Sequence, residues 1–305
     1  MLIRALLVFA AYLGDLVQTD SILKSVKCYP SYSDSKMGDV LHNIGDIGNI
    51  TSEEVQQIRR ALLENGVVVI RNQTLSRQQQ VHFSSKLGET ITLPLSFEGK
   101  DPEAGFPEIH RVSNYWYNGT WKGPQHCFGC YWHKDGDYNN PDRDYIIGIL
   151  YAEHVADSSA QTAFLDNCNA ISLLPPGLKS SIYNTTIAVS VRKIPDFKSG
   201  TERDFALFPD EALHDVFYRH PENGRQCLYL TNEMDTKKEK SSKEQRDLEM
   251  AWKLMTEFSP KYRHKWRNGD LVIWDNVGVM HRAMPAVPSR EPRILYRTMA
   301  RITMV

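Results

Sequence analysis

Two segments in the first third of the chain carry apolar residues at helical spacing. In the first, Val55, Ile58 and Leu62 recur on one helix face, after a Thr-Ser pair that can cap a helix. An Asn-Gly pair at 65–66 ends this pattern, because glycine commonly follows the last turn of a helix. A second helix is predicted to begin at Ser76. Both helices precede most of the strand-like sequence.

Short apolar runs separated by turn residues predict strands along the remaining chain. A late helix is predicted over 248–258, and residues 88–130 are rich in Gly, Pro, Tyr and Trp, which predicts loops and short strands over a site. We find no internal repeat and no clean linker. The fold class predicted is mixed α+β and mainly β, a double-stranded β-helix (jelly-roll) core with flanking helices. The predicted strands are residues 67–70, 131–135, 145–151, 162–164, 186–191, 271–274 and 293–303.

Composition places the chain among globular proteins with a sizeable core. Of its 305 residues, 41% are hydrophobic and 24% are charged. The formal net charge of −1 gives no basic excess, so nothing indicates a nucleic-acid partner. The partner must therefore be inferred from a local site.

The N-terminal segment resembles a secretory leader. A short, positively charged start at residues 1–4 precedes an apolar run at 5–14, which is too short to form a stable membrane span. This pattern is typical of a signal peptide, with a candidate cut after Thr19. The alternative is an ordinary N-terminal helix. Residues 1–19 are therefore a candidate signal peptide, and cleavage predicts the secretory pathway, with a cytoplasmic location as the alternative.

Sequons and cysteines bear on the same question. There are four N-x-S/T sequons, at Asn49, Asn72, Asn118 and Asn184, which give mild support for glycosylation. The five cysteines leave at least one unpaired within a monomer. The pair at 127–130 has C-x-x-C spacing without a second such pair, which favours a local disulfide or two plain thiols over a zinc or redox motif.

The sequence His133-Lys-Asp135 carries two metal-ligating side chains two residues apart. On a strand, positions i and i+2 point to the same face, so both side chains can reach one ion. His281, which follows the predicted strand at 271–274, is the natural third ligand. Two histidines and one carboxylate form the facial triad of non-haem Fe(II), which leaves positions open for a cosubstrate and oxygen. We expect the nearby Asp137 to be a loop carboxylate.

The sequence around these residues resembles the TauD/TfdA family of Fe(II)/2-oxoglutarate-dependent dioxygenases. The resemblance rests on three stretches near the site: YWHKDGDY, NGDLVIWDNVGVMHRAMP and EPRILYRTMAR. It also covers the front half, through MGDVLHNIGDIGNITSEE, ALLENGVVVIRNQTLSRQQQVHFSSKLGE and FPEIHRVSN. These stretches occur in the family's order, which predicts one dioxygenase domain over residues 26–305.

The resemblance implies a role for each matching residue. His133, Asp135 and His281 match the iron ligands. Thr162 and Arg293 match the threonine and arginine that hold the far carboxylate of 2-oxoglutarate, a role that suits a planar, permanently charged guanidinium.

Arg297 lies on the same strand face as Arg293 and is a candidate for binding an anionic group of the substrate. The alternative for Arg297 is a structural ion pair, with Glu108 or Glu153.

The reaction that the resemblance implies needs Fe(II), with 2-oxoglutarate and O2 as cosubstrates. It hydroxylates a small molecule and releases succinate and carbon dioxide. The expected substrate is a small organic acid, such as a sulfonate, a phosphonate, or an aryloxy or amino acid. Relatives often form dimers or tetramers, so a homo-oligomer is compatible with the resemblance. Two other classes remain open: a zinc-dependent hydrolase, and a non-catalytic ligand-binding protein on the same fold.

Overall fold

The computed structural model describes most of the chain between residues 37 and 303. The predicted leader at 1–19, Asn118 and Cys127 lie outside the described residues. The described ranges are 37–42, 44–92, 102–103, 105–113, 116–117, 120–121, 129–139, 145–155, 161–194, 197, 200–232, 234–235, 240–284 and 293–303.

Five α-helices occur within these residues, and the two predicted at the front are confirmed. Thr51 and Ser76 cap the first two helices, each in a reciprocal capping box with the residue three positions later. Gly66 ends the first helix with a φ of 72°, a conformation that glycine adopts without steric cost. The helices are α1 (Ser52–Asn65), α2 (Arg77–Leu87), α3 (Pro176–Ser181), α4 (Glu202–Phe205) and α5 (Ser242–Phe258).

Strands dominate the rest of the described chain. Short 3-10 helices at Ile47–Asn49, Asn169–Leu173 and Val191–Lys193 connect some of them. The strands are β1 (Asp39–Val40), β2 (Val67–Ile70), β3 (Glu89–Thr90), β4 (Pro102–Glu103), β5 (Phe106–Ser113), β6 (Trp116–Tyr117), β7 (Thr120–Trp121), β8 (Tyr145–Val155), β9 (Gln161–Asp166), β10 (Thr186–Val189), β11 (Ala212–Asp215), β12 (Phe217–Arg219), β13 (Gln226–Leu228), β14 (Lys261–Lys265), β15 (Leu271–Asp275), β16 (Val279–Ala283) and β17 (Arg293–Ile302).

Two sheets form the core. The larger has eight strands in the order β1-β2-β15-β8-β17-β5-β4, with β3 also pairing to β17. The smaller has three antiparallel strands in the order β14-β9-β16. Trp274 from the larger sheet and Phe164 from the smaller are both fully buried in one cluster between the sheets. This two-sheet sandwich agrees with the predicted jelly-roll core.

Helices cover the outer faces of both sheets. Ile58 of α1 and Phe83 of α2 pack with alternate residues of β2, β8, β15 and β17. Leu248 and Met255 of α5 pack against Leu165 of β9 on the outer face of the smaller sheet. The period of 2 along each strand therefore separates an inner face from a helix-covered face.

The alternation on β17 decides where Arg297 points. Ile294, Tyr296 and Ala300 belong to the cluster under α1 and α2. Leu295 instead packs between the sheets. Arg297 lies two positions after Leu295, so it shares the inner face. Arg293 lies on the other side of a register shift with β8 between Ile294 and Leu295. The predicted common face of the two arginines therefore stays a prediction for Arg293.

Several sequence expectations about the elements need correction. Residues 88–130 were predicted as loops and short strands, yet β5 is an eight-residue strand that pairs with β17. His281 follows β15, as predicted, and it lies within a further strand, β16, that was not predicted. The segment 131–135 contributes only an isolated bridge through His133. Strands β11, β12, β13, β14 and β16 were not predicted, because each is short and lacks a clear period.

Disulfide bonds are present on the smaller sheet's side of the molecule. Cys168 and Cys227 are bonded to each other across 59 residues of sequence, next to the end of β9 and within β13. Cys130 is also disulfide-bonded. Cys130 is therefore not a plain thiol, and the predicted local disulfide with Cys127 stays a prediction because Cys127 lies outside the described residues.

A search of the described residues finds no helix that is both long enough and apolar enough to cross a membrane.

Candidate metal centre

His133 and His281 are held side by side by their own backbones. His133 N donates to His281 O at 3.1 Å, and His281 N donates to His133 O at 2.9 Å. This antiparallel bridge places the two imidazole ring centroids 4.3 Å apart. His281 comes from the three-stranded sheet, where it pairs with Phe164 of β9. Two predicted ligands that are distant in sequence are therefore brought together by one pair of hydrogen bonds.

Asp135 completes the group. Ligand atoms of His133, Asp135 and His281 all lie within 4.8 Å of one another, and no other such group of three is found among the described residues. His281 Nε2 is 3.7 Å from Asp135 Oδ2. Two imidazole nitrogens and one carboxylate oxygen at this spacing suit a divalent transition metal, and this donor set is the one typical of non-haem iron. The residues present therefore fit the metal that the sequence predicted.

The protonation of the two imidazoles also suits a metal. His133 Nδ1 lies 2.9 Å from the carbonyl oxygen of Tyr131, so Nδ1 carries the proton and Nε2 is left as the electron-pair donor. Burial, and then the neighbouring His133, lower the pKa of His281 to about 3. His281 is therefore neutral at physiological pH, which is the form that binds metals.

The side chain of Asn276 holds the Asp135 backbone from both sides. Its Oδ1 accepts from Asp135 N at 3.1 Å, and its Nδ2 donates to Asp135 O at 2.9 Å. Trp274 Nε1 donates to the same Asn276 Oδ1 at 3.2 Å. The Trp274 ring also lies 4.9 Å from the His281 ring. Residues 274–276 therefore position two of the three candidate ligands.

Arg297 reaches the centre directly. Its Nη1 donates to Asp135 Oδ1 at 2.5 Å, and its side chain is only 13% exposed. The alternative prediction for Arg297, an ion pair with an acidic neighbour, is therefore met, but the partner is Asp135 and not Glu108 or Glu153, the second of which pairs with Arg77. Arg297 therefore brings a positive charge to the edge of the candidate metal site.

Thr162 and Arg293, the predicted 2-oxoglutarate residues, come from different sheets, Thr162 from β9 of the smaller sheet and Arg293 from β17 of the larger. Thr162 is buried on β9, two residues before Phe164, and its Oγ1 accepts from Trp266 Nε1 at 3.0 Å. Arg293 is the first residue of β17. Burial lowers the pKa of Arg293 to about 10, so it is still charged at neutral pH.

Asp137 is a structural carboxylate, in agreement with its predicted role. It is buried, and it accepts from Lys134 N at 3.0 Å and from Tyr229 Oη at 2.5 Å. Lys134 was not singled out from the sequence. Its Nζ donates to Val277 O at 2.7 Å and to Tyr218 Oη at 2.9 Å, and burial lowers its pKa to about 8. Lys134 lies between His133 and Asp135 in sequence, and its bond to Val277 thus fixes this segment to the turn before β16.

Comparison with known proteins now identifies the family. The family model described as "Taurine catabolism dioxygenase TauD, TfdA family" matches residues 33–299. The chain belongs to this family. It is a dioxygenase dependent on Fe(II) and 2-oxoglutarate, and the predicted fold class is confirmed.

Curated relatives span most of this TauD/TfdA chain. One is an alpha-ketoglutarate-dependent 2,4-dichlorophenoxyacetate dioxygenase from Cupriavidus pinatubonensis, 28% identical over 76% of this chain and 83% of the relative. Another is a pentalenolactone F synthase from Streptomyces avermitilis, 28% identical over 86% of this chain and 90% of the relative.

Solved structures share the fold of this TauD/TfdA dioxygenase. A taurine dioxygenase from Burkholderia xenovorans has a TM-score of 0.68 at 24% identity, over 87% of this chain and 86% of its own. The structure described as AAD-2 in complex with Mn(II) and N-oxalylglycine has a TM-score of 0.71 at 22% identity, over 88% of this chain and 97% of its own. At these identities the likeness shows the fold alone.

The cofactors of the family are Fe(II), with 2-oxoglutarate and O2 as cosubstrates, and the His-Asp-His group of this TauD/TfdA chain matches that requirement. Sequence reasoning missed Asn276 and Lys134, whose roles depend on contacts across more than 140 residues. The only signal for Asn276 was its place at the end of a strand, within the WDN sequence that precedes β16.

Proposed function

We propose that this chain hydroxylates a small organic anion, with His133, Asp135 and His281 as the iron ligands. Bound there, Fe(II) and 2-oxoglutarate would supply the oxidising chemistry, in which O2 places one atom in the substrate C–H bond and one in succinate, with loss of carbon dioxide. The protein itself must orient the cosubstrate and place one C–H bond of the substrate next to the metal site.

The observation that carries the choice of an anion is the position of Arg297. Its guanidinium is largely buried, and a buried charge needs a partner. Arg297 has five N–H donors, and one of them donates to Asp135. The buried Nε of Arg297 has no hydrogen-bond partner within the described residues. A carboxylate, sulfonate or phosphonate could accept two parallel bonds from the unused donors. The substrate's charged end would then lie beside the metal ligands.

The two arginines of β17 can each bind a different anion, which supports the same proposal. Arg293 and Arg297 lie four residues apart on β17, about 13 Å along a strand at the usual rise. We assign Arg293, with Thr162, to the far carboxylate of 2-oxoglutarate, and Arg297 to the substrate. The names of two curated relatives are consistent with an anionic substrate. They contain 2,4-dichlorophenoxyacetate and (S)-phenoxypropionate, and both compounds are acids.

The test separates metal, cosubstrate and substrate. The protein is loaded with Fe(II) without oxygen, 2-oxoglutarate is added, and the weak visible charge-transfer band is recorded. We expect the band in the wild type and in His82→Ala, an exposed control on α2. His281→Ala should abolish the band, and Arg293→Met should require at least about tenfold more 2-oxoglutarate, equivalent to about 1.4 kcal/mol.

Substrate class is then tested by succinate release from a panel of small acids and their neutral amides or esters. The proposal expects acids to stimulate 2-oxoglutarate turnover, and expects Arg297→Gln to remove the preference for acids. Faster turnover with the neutral analogues would reject an anionic substrate. Absence of the band, together with tight zinc binding, would reject the assigned ligands and favour a zinc hydrolase.

A further inference from the structure

Three sequons within the described residues expose both the asparagine and the threonine that define them: Asn49-Ile-Thr51, Asn72-Gln-Thr74 and Asn184-Thr-Thr186. Exposure alone therefore does not rank them, and the hydrogen bonds of each asparagine amide do. An N-linked glycan is bulky and hydrophilic, so only an asparagine at the surface can carry one in a folded protein. Each sequon therefore meets the steric requirement for glycosylation.

Asn72 lies in a surface turn between β2 and α2. Its φ is 58°, in the left-handed region that asparagine tolerates better than most residues. Asn72 and Thr74 both line a surface cleft of about 510 Å³. The Asn72 side chain makes no hydrogen bond to any residue that the structure describes, so its amide is available for modification.

Asn184 occupies the corresponding kind of position between α3 and β10. It lies in a turn, and Thr186 is the first residue of β10. Its neighbour Tyr183 is 51% exposed. The described part of the chain offers no hydrogen-bond partner to the Asn184 amide either.

Asn49 provides the contrast. Its side chain is exposed, but Nδ2 donates to Asp46 Oδ2 at 2.9 Å, within a 3-10 helix whose N-cap is Asp46. A glycan on Nδ2 would compete with the bond that stabilises this turn. The sequence ranks all the sequons equally, whereas the structure separates Asn49 from the other two.

The disulfide bonds give an independent indication of the compartment. Cys168 is joined to Cys227, and Cys130 is also disulfide-bonded. Structural disulfides form and persist in the secretory pathway and outside the cell, and are rare in the cytosol. The machinery for N-glycosylation lies in the same pathway. Cysteine pairing and sequon exposure therefore agree, although they concern different residues.

We propose that the protein is a secretory-pathway glycoprotein with N-glycans on Asn72 and Asn184. In each transfer the amide Nδ2 attacks the anomeric carbon of a lipid-linked oligosaccharide pyrophosphate. The carbon–oxygen bond to the pyrophosphate breaks, a carbon–nitrogen bond forms, and Nδ2 loses one proton. The lipid pyrophosphate is the leaving group, and no atom changes oxidation state.

A glycan on Asn72 is compatible with catalysis. In the pairing of β2 with β15, Ile70 lies opposite Leu271, whereas Val67 lies opposite Trp274. Trp274 and Asn276 are at the end of β15 that contacts the candidate metal ligands. Asn72 follows Ile70, so it projects from the opposite end of these strands. The modification therefore leaves the approach to the metal centre open.

The experiment uses the full chain, expressed in a eukaryotic host and recovered from the medium. Peptide-N-glycosidase F in heavy-oxygen water converts each glycosylated asparagine into labelled aspartate, which mass spectrometry locates. Because Asn72 has a left-handed backbone, the sequon is removed at its threonine. Thr74→Ala and Thr186→Ala are compared with Thr74→Ser and Thr186→Ser, which preserve the sequon.

We expect label at Asn72 and Asn184, and none at Asn49. Each alanine variant should lose the label at its own site completely, while each serine variant retains it. Cys168 and Cys227 should resist alkylation until a reductant is added. Three results would overturn the proposal: no glycan on either asparagine, label confined to Asn49, or a chain that remains in the cytosol with Cys168 and Cys227 open to alkylation.

Discussion

Arg297 donates to the carboxylate of Asp135, with Nη1 2.5 Å from Oδ1. Asp135 is one of the three candidate metal ligands, so the guanidinium and the metal share one carboxylate. A metal cation and the Arg297 cation repel each other across this carboxylate, and the repulsion is stronger in a buried site than in water. An anionic substrate placed on Arg297 would offset that repulsion.

Replacing Arg297 tests this relationship. In Arg297→Gln we expect Mn(II), a redox-inert probe, to bind at least as tightly as in the wild type, because the competing cation is gone. The KM for the acid substrate should rise at least about tenfold, since a charge-assisted bond is lost. Metal affinity is measured by titration, with the exposed Arg60→Gln on α1 as the control. A parallel loss of metal affinity would mean that Arg297 serves mainly to orient Asp135.

Asn276 is expected to control metal affinity without touching the metal. Asn276→Asp replaces the Nδ2 donor to Asp135 O with an acceptor, so two oxygens would face each other. Partners that orient metal ligands typically contribute 10- to 100-fold in affinity, so we expect a loss of about that size for Mn(II). Asn268→Asp is the matched control. The Oδ1 of Asn268 accepts a hydrogen bond from Val155 N, and an aspartate oxygen can still accept that bond. Equal losses in both variants would indicate general destabilisation.

Gly148 is required by the packing of Trp274. These residues face each other in the pairing of β8 with β15, and a Cβ on Gly148 would lie 2.1 Å from the indole ring. Gly148→Ala must therefore displace Trp274, which donates to Asn276. We expect a loss of about 1–3 kcal/mol in the free energy of unfolding, as in other overpacked cores, and weaker Mn(II) binding. Urea unfolding and metal titration measure the two effects.

The control for this variant is Gly177→Ala. A Cβ there would meet nothing within 4 Å, and the residue lies in helix α3, where alanine is favoured over glycine. Gly177→Ala should leave stability unchanged or slightly raised. An intact Gly148→Ala protein with normal metal affinity would show that the Trp274 ring can move without consequence.

The elements that could be predicted from sequence are those with a local signal. Helices α1 and α2 were predicted because Thr51 and Ser76 cap them and apolar residues follow at helical spacing. Strand β15 was predicted from an unbroken apolar run. Strand β16 was not, because Val279–Ala283 mixes apolar and charged residues, and its pairing with β9 spans more than a hundred residues.

The same distinction applies to the site. His133, Asp135 and His281 were predicted from ligand chemistry and from resemblance, and the structure brings them together. The contacts that hold them in place could not be predicted. Asn276 reaches Asp135, and Lys134 reaches Val277, only after two sheets have packed. The Arg297–Asp135 pair was missed for a related reason, since the sequence offered several carboxylates and gave no measure of distance.

His264 should make stability depend on pH below neutrality. It is fully buried, with Nε2 2.9 Å from Asp270 Oδ2 and Nδ1 2.9 Å from Tyr262 Oη, and Arg71 contacts the same Asp270 oxygen. Burial lowers the pKa of His264, against the opposing effect of Asp270. Burial would raise the pKa of Asp270, but its bonds from His264 and Arg71 lower it overall, so Asp270 titrates only at more acidic pH.

The sign of the His264 effect follows from proton binding. Below about pH 6.5 the unfolded chain takes up a proton on this histidine while the folded chain does not. The contribution to stability is therefore complete above that pH and is lost as the pH falls towards the folded pKa. Between these two pH values, His264 alone makes the free energy of unfolding fall by up to about 1.4 kcal/mol for each pH unit. His264→Gln cannot titrate, so we expect a shallower dependence in urea unfolding of the metal-free protein, whereas the exposed His82→Gln keeps the wild-type slope. Identical slopes in all three proteins would mean that His264 is equally protonated in the folded and unfolded states.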